Sequence, residues 1–231
     1  MTTIDKSVAL VTGGQRGLGR ALARELLERG AAKVYVTARK PAPEEDPRIV
    51  PLALEVSDPD SVAAVAQAAG DVAIVVNNAG APGSGQVVAA DLADVRALFE
   101  VNVFGALRVA QAFAPVLARN GGGALVDIHS VLSWLPGHGA YSASKAAFWS
   151  LTNSLRLELA PAGTQVVGVH LGYIDTDMVR DLDVPKSDPA AVAAAVADAL
   201  EDGESEVLAD DVSRRVKAAL SGPVEALAFG R

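Results

Sequence analysis

Val8-Ala9-Leu10-Val11-Thr12-Gly13-Gly14-Gln15-Arg16-Gly17-Leu18-Gly19 is the stretch on which the fold turns. Its four continuous apolar residues read as a strand buried on both faces of a parallel sheet, since a strand with one wet face would alternate. They run into a glycine-rich turn and then, from Arg20 to Arg29, into a helical pattern that ends at Gly30. Such a turn lets the backbone approach a phosphate closely, while the helix N-terminus offers free N–H groups and the positive end of its dipole. Gly13, Gly17 and Gly19, with Gln15, Arg16 and Leu18 between them, are the candidate pyrophosphate turn. The lone glycine stands at the front, unlike the usual dinucleotide fingerprint.

Working outward, Lys33 to Ala38 reads as a second strand, followed by Arg39 and Lys40. In dinucleotide folds an acidic residue about 20 positions after the turn holds the ribose 2′-hydroxyl, and arginine there accommodates a 2′-phosphate. Basic residues at this position, with Arg16 nearby, favour NADP(H) over NAD(H). The plainer alternative is that Arg39 and Lys40 solubilise a loop continued by Pro41 and Pro43. Ile49 to Leu54 is a third strand, and Ser57-Asp58-Pro59 starts a helix running to about Ala69. Asp71 to Val76 is a fourth, ending in Asn77-Asn78-Ala79-Gly80, amides and small residues that suit a crevice at the carboxyl end of a strand.

After a Gly/Pro/Ser loop over 80–85, residues 91–119 read as one or two helices, with Asn102 set in an apolar stretch where its amide needs buried partners. Ala124 to Ile128 is the fifth strand, with Ser130 just past its end; Gln165 to His170 is the sixth; Glu206 to Leu208 is a short seventh. A helix from Asp188-Pro189 to about Glu201 and a terminal one from Ser213 to Leu220 complete the alternation. Strands alternating with helices predict an α/β fold with a doubly wound parallel sheet covered by helices on both faces.

With 231 residues, half of them apolar, the chain fits one domain, 1–231, with a sizeable core. The net charge of -8 argues against a nucleic-acid partner. The absence of cysteine removes disulfide and thiol chemistry, and three scattered histidines argue against a zinc site. No signal-peptide pattern and no unbroken run of about 18 apolar residues is present, which points to the cytoplasm and away from a membrane.

The chemistry gathers at Tyr141-Ser142-Ala143-Ser144-Lys145, where four residues place a phenol and an ammonium on one helix face, one turn apart. A tyrosine, at about 10, is a poor acid or base near neutrality. A cation ~4 Å away at an effective dielectric of ~20 is worth up to ~4 kcal/mol, enough to lower that value by up to ~3 units. Tyr141 is therefore expected to be shifted towards neutrality by Lys145.

In this order and at these spacings, the turn from Thr12 to Gly19, Asn77-Asn78-Ala79-Gly80, Asn102, Ser130, Tyr141 with Lys145, and Gly172 to Thr176 resemble the classical short-chain dehydrogenase/reductase family over nearly the whole chain. The resemblance implies a Rossmann-type fold and an oxidoreductase that interconverts a small carbonyl and its alcohol by hydride transfer. It implies Tyr141 as general acid or base, Lys145 as the group that tunes it and bonds the nicotinamide ribose, and Ser130 as a donor to the carbonyl oxygen. Asn102 would hold a relay water, Ile174 and Thr176 the carboxamide, and Asn78, Ala79, Gly80 and Gly172 other parts of the cofactor.

The chain departs from the family pattern in three places. The connection from Ser130 to Tyr141 is about two residues shorter, which makes Ser133 an alternative donor. Leu171 replaces the usual proline, and Glu55, beside Val56, stands near the adenine where aspartate is usual. Leu132, Trp134, Leu135, His138, Tyr173 and Met178 are candidate pocket walls, with ordinary packing the rival reading for Trp134 and Tyr173. The family also implies a homodimer or homotetramer built on the two long helices, about 91–119 and 140–160. A cofactor sensor or scaffold without turnover is the competing function, and an epimerase or dehydratase a third.

Overall fold

In the computed structural model, residues 1–83 and 85–227 are described, Met178 by its backbone alone. Seven strands, β1 (Val8–Val11), β2 (Lys33–Ala38), β3 (Ile49–Ala53), β4 (Ile74–Asn77), β5 (Gly123–Ile128), β6 (Thr164–His170) and β7 (Glu206–Leu208), form one sheet in the order β3-β2-β1-β4-β5-β6-β7. Every neighbouring pair is parallel. The chain winds outward from β1 to β3, then returns to lay β4 on the other side of β1. The loops leaving β1 and β4 therefore part at the switch point and open a crevice there. Register brings the two loops to the same level, since Val11 faces Val76 across the ladder.

The helices are α1 (Gly17–Glu28), α2 (Pro59–Ala68), α3 (Leu92–Phe99), α4 (Ala106–Arg119), α5 (Gly139–Leu159), α6 (Pro189–Asp202) and α7 (Asp211–Ala219). Side chains alternate through the sheet: Ala9, Val11, Ile74 and Val76 meet Leu22, Leu26, Val196 and Leu200 of α1 and α6. Leu10, Val75, Leu125 and Val166 meet Val62, Val109, Phe113 and Leu155 of α2, α4 and α5. Burial on both faces explains why the strands read as unbroken apolar runs.

Four helices start on an aspartate whose side chain accepts a backbone N–H of the first turn: Asp58 from Asp60, Asp91 from Ala93, Asp188 from Ala190 and Asp210 from Ser213. Each such cap is worth about 1 kcal/mol. Helix α1 differs. It begins at Gly17, inside the turn, three residues before the expected Arg20, and its extended N-cap residue Arg16 supplies no side-chain bond.

Residues 92–119 form one continuous helix, in which a π-helical segment, Glu100–Gly105, joins α3 to α4. By length and composition it could cross a membrane, with a mean hydropathy of 1.4 over its most apolar window, half of which is buried within the protein. A search for unbroken apolar residues misses it because Glu100, Asn102 and Arg108 interrupt the run. Its buried side packs on β4, β5, α2 and α5.

Candidate active site

The crevice is built around the Thr12 hydroxyl. It donates to the Val76 carbonyl (3.2 Å) and accepts from the N–H groups of Asn78 and Ala79 (both 2.9 Å), which ties the loop after β4 to the turn after β1. The Asn78 amide donates to the Thr12 carbonyl at 2.8 Å. Asn78 thus shapes the turn from within, and the Ala79 side chain packs against the core. A Cβ on Gly19 would lie 2.4 Å from the Gly13 carbonyl oxygen and 2.6 Å from the Asn78 amide nitrogen, so no larger residue fits there. Gly17, at φ +52°, takes the left-handed conformation that glycine adopts freely, and a Cβ on it would sit 3.2 Å from the Thr176 methyl. Leu18 is buried, so it can offer a ligand only backbone.

Thr176 belongs to a loop anchored twice. The Gly172 N–H donates to Asp210 (2.6 Å), and Ile174, buried, pairs with Ser187 as an isolated parallel bridge. A bare-backbone turn at an uncapped helix start, closed by Thr176 on one side and Gly80 on the other, fits the pyrophosphate and nicotinamide ends of a dinucleotide.

At the adenosine end, Arg16, Arg39 and Lys40 are exposed. Neither arginine pairs with a carboxylate among the described residues. Gln15 faces the other way: its amide exchanges two bonds with the backbone of Ala42 (2.7 and 2.9 Å) and donates to Glu44 (2.9 Å). Glu44 also lies 3.6 Å from Arg20. The Glu55 carboxylate accepts from the N–H and hydroxyl of Ser57 (3.2 and 2.7 Å), and Val56, buried, lies against Gly105 of the π segment.

At the catalytic end, a Cβ on Gly80 would be 3.3 Å from the Asn102 Oδ1 and 3.9 Å from the Lys145 Nζ, which places these three groups around one point. The Asn102 amide holds Ala81 through both its N–H (2.7 Å) and its carbonyl (3.0 Å) and donates to Ser144 at 3.2 Å. Its side chain therefore fixes the loop over Tyr141 and is already committed to protein partners. Lys145, buried, donates to the Ile128 carbonyl at 2.9 Å. Its Nζ stands 5.9 Å from the centre of the Tyr141 ring.

The expected lowering of Tyr141 is overturned: burial pushes the phenol up to about 12, and burial pulls Lys145 down to about 8, with Asp127 acting in the opposite sense. Desolvation disfavours the charged form of each, and it is the cause acting on the phenol.

Ser130 caps a 3₁₀ turn over Val131–Ser133, accepting from the Leu132 N–H at 3.1 Å, which leaves its hydroxyl proton free to donate. The Ser133 hydroxyl is buried, without a partner among the described residues, in a wall shared with Trp134, Ala143 and Ala146. Trp134 lines that wall together with Leu132 and Leu135. It stacks on His170, rings 3.8 Å apart at 18°, in a cluster with Val131, Val216, Leu132 and Leu135. The Tyr173 hydroxyl and the His138 Nε2 lie 3.4 Å apart. The Met178 side chain lies outside the described residues.

Sequence reasoning passed over Asp127, His129 and His170, all fully buried. A charge inside the run Ala124-Leu125-Val126-Asp127-Ile128 was the available signal for the first.

A seven-stranded doubly wound sheet with a bare glycine turn at its switch point defines a Rossmann-type, dinucleotide-binding architecture. Residues 7–186 match the short chain dehydrogenase family. The chain belongs to that family, whose members are oxidoreductases using a nicotinamide cofactor. The NADPH-dependent 1-acyldihydroxyacetone phosphate reductase of Schizosaccharomyces pombe is 36% identical over 178 residues, 72% of this chain and 60% of that protein. The 3-oxoacyl-(acyl-carrier-protein) reductase MabA of Mycobacterium tuberculosis is 37% identical over 186 residues, 78% of this chain and 74% of its own. A short chain dehydrogenase from Burkholderia cenocepacia J2315, solved in complex with NADP, is 40% identical and superposes over 97% of each chain with a TM-score of 0.90.

Proposed function

We propose that the protein is an NADP(H)-dependent oxidoreductase that interconverts an aldehyde or ketone and its alcohol, working through Tyr141, Lys145, Ser130 and Asn102. The observation that carries this reading is the meeting of Gly80, Asn102 and the buried Lys145 ammonium at one point of the switch crevice, with Tyr141 beneath the same loop. A bound nicotinamide supplies the hydride in reduction and accepts it in the reverse direction.

Tyr141, protonated throughout the neutral range in this structure, hands its proton to the carbonyl oxygen. Lys145 stabilises the phenolate that results, and the free proton of Ser130 aims a second donor at the developing charge. Asn102 holds the loop of Ala81 in place over the phenol. Gly13, Gly17, Gly19 and the start of α1 take the pyrophosphate, Asn78, Ala79 and Gly80 line the cofactor's path, and Gly172, Ile174 and Thr176 take the carboxamide end. Glu55 and Val56 lie towards the adenine, and the Gln15 side chain braces the loop that carries Ala42.

Arg16 and Arg39, exposed and unpaired among the described residues, suit a 2′-phosphate. The NADPH named for the S. pombe relative and the NADP in the B. cenocepacia structure agree with that preference. The whole chain would act as one catalytic unit of the cytoplasm. Exposed Phe104 and Leu157, at 49% and 78%, lie on the two long helices through which it would form a dimer or tetramer.

The test is a screen of NADPH oxidation against varied aldehydes and ketones, with dissociation constants for NADPH and NADH measured in parallel. Turnover of a carbonyl with NADPH bound at least tenfold more tightly than NADH is the expected result. Tight NADPH binding with no turnover across the panel would replace the enzyme with a sensor or scaffold.

A further inference from the structure

Asp127 occupies the middle of the site's foundation and has no part in the reaction just described. It is fully buried on β5, opposite Asn77 in the ladder with β4. One carboxylate oxygen accepts from the Asn77 amide at 3.0 Å, the other from the Thr152 hydroxyl of α5 at 2.7 Å. A buried carboxylate with two donors and no contacting cation is costly, and an apolar residue or an asparagine could fill the same place at less expense.

The neighbouring cation explains it. Lys145 lies two helical turns before Thr152 on the same face of α5, and its ammonium is held by the carbonyl of Ile128, the residue after Asp127. No carboxylate reaches Lys145 directly among the described residues, so the ammonium would otherwise face only dipoles and other cationic or neutral groups. Those groups are Tyr141 and Arg156 on α5, His129 just past β5, His170 on β6 and Lys217 on α7. Burial keeps both histidines neutral, and Arg156 binds the carbonyls of Val166 and Ser205 and the side chain of Asn153. Glu100, at the surface, pairs with Arg108.

We infer that Asp127 is the buried counter-charge of Lys145, a positioning residue that sets the pH range over which the ammonium stays charged. The inference deepens the functional reading above, and its kinetic part rests on that reading. Burial pushes Asp127 up to about 6, with the bonds from Thr152 and Asn77 and the charge of Lys145 holding it back. Between pH 6 and 8 both groups are charged, which is the window in which Lys145 can stabilise a phenolate.

Asp127→Asn is a clean perturbation. The new amide oxygen can accept from Asn77, and the new N–H₂ can donate to Thr152, whose hydroxyl already lies 3.0 Å from the Phe148 carbonyl and can donate there instead. The chain has six lysines, so ¹³Cε-lysine NMR resolves their titrations one by one, with Lys145→Met assigning the signal. The Lys145 midpoint should fall by about one pH unit or more in Asp127→Asn, the effect of removing a nearby opposite charge. The alkaline limb of kcat/KM should move down with it. Should Asp127→Asn fail to fold, Thr152→Val, which takes a donor from the carboxylate, is expected to shift the midpoint in the same direction by less. An unmoved midpoint in the folded variant overturns the inference whatever the activity. A wild-type protein that reduces no carbonyl sinks the functional reading and leaves the NMR result standing.

Discussion

Burial pushes the Tyr141 phenol up to about 12, and the nearby Lys145 ammonium bonds the Ile128 carbonyl. At the other end of the crevice, Arg39 is exposed and pairs with no carboxylate among the described residues, which suits a charged ligand. We expect Arg39→Asp to raise the NADPH dissociation constant by about 10- to 100-fold, roughly 1.4–2.8 kcal/mol, while NADH changes little. Fluorescence titration measures both, and equal loss for the two cofactors would count against the 2′-phosphate assignment. Gly19→Ala should weaken both cofactors alike by about tenfold or more and lower Tm. Its Cβ meets backbone at 2.4 Å, a contact that only movement of the turn itself relieves.

Among the elements, the turn between β1 and α1 is tied to the loop after β4 by the Thr12 hydroxyl and the Asn78 amide. Removing the amide in Asn78→Ala leaves the Thr12 carbonyl without this donor and should cost about 1–3 kcal/mol. In a chain of this size that is a fall in Tm of about 2–4 °C per kcal/mol, read by calorimetry. A change within error would mean that Thr12 alone holds the turn.

The same residues mark how far the sequence could be read. The strands were legible because each is buried on both faces and shows as an apolar run; the helix starts were legible because Asp58 and Asp188 precede prolines. The start of α1 was misplaced to Arg20 because glycine is a poor helix former by propensity, yet the helix opens at Gly17, in its left-handed conformation, and runs through Gly19 under tertiary constraint. Ser130, Tyr141, Lys145 and Asn102 were legible as types at fixed spacings. What those side chains touch was not, since the Ala81 and Ala42 backbones bound by Asn102 and Gln15, and the His170 ring stacked on Trp134, lie 21 or more residues away, and only the closed fold brings them together. The direction of the Tyr141 shift was missed for the same reason. Spacing fixes the helix face, but burial and the 5.9 Å separation come from packing.

At the scale of the molecule, one sheet puts the turn, the amide loop and Ser130 at its carboxyl edge, and three buried titrating side chains beneath Ser130 tie stability to pH. Burial lowers His129 well below its usual value and His170 to about 3. Below about pH 6.5 the unfolded chain takes up protons at these positions and the native state does not, so stability is lost as pH falls, for His170 by up to ~5 kcal/mol on the way to pH 3. Asp127 has the opposite sign. The native state protonates it near 6 and the unfolded chain only near 3.8, so it returns part of the loss between those values. Two histidines outweigh one aspartate. Urea midpoints should therefore fall between pH 6.5 and 4, and less steeply in His170→Phe, which keeps an aromatic ring against Trp134. An unchanged slope would show that His170 titrates normally.

The central claim is that the crevice reduces carbonyls through the Tyr141 proton. It is tested most directly by NADPH-dependent reduction of the best substrate found, measured in Tyr141→Phe beside the wild type. A loss of about 10²- to 10⁴-fold in kcat/KM, with the NADPH dissociation constant within about threefold, is the predicted result. Undiminished turnover in that variant would contradict the account.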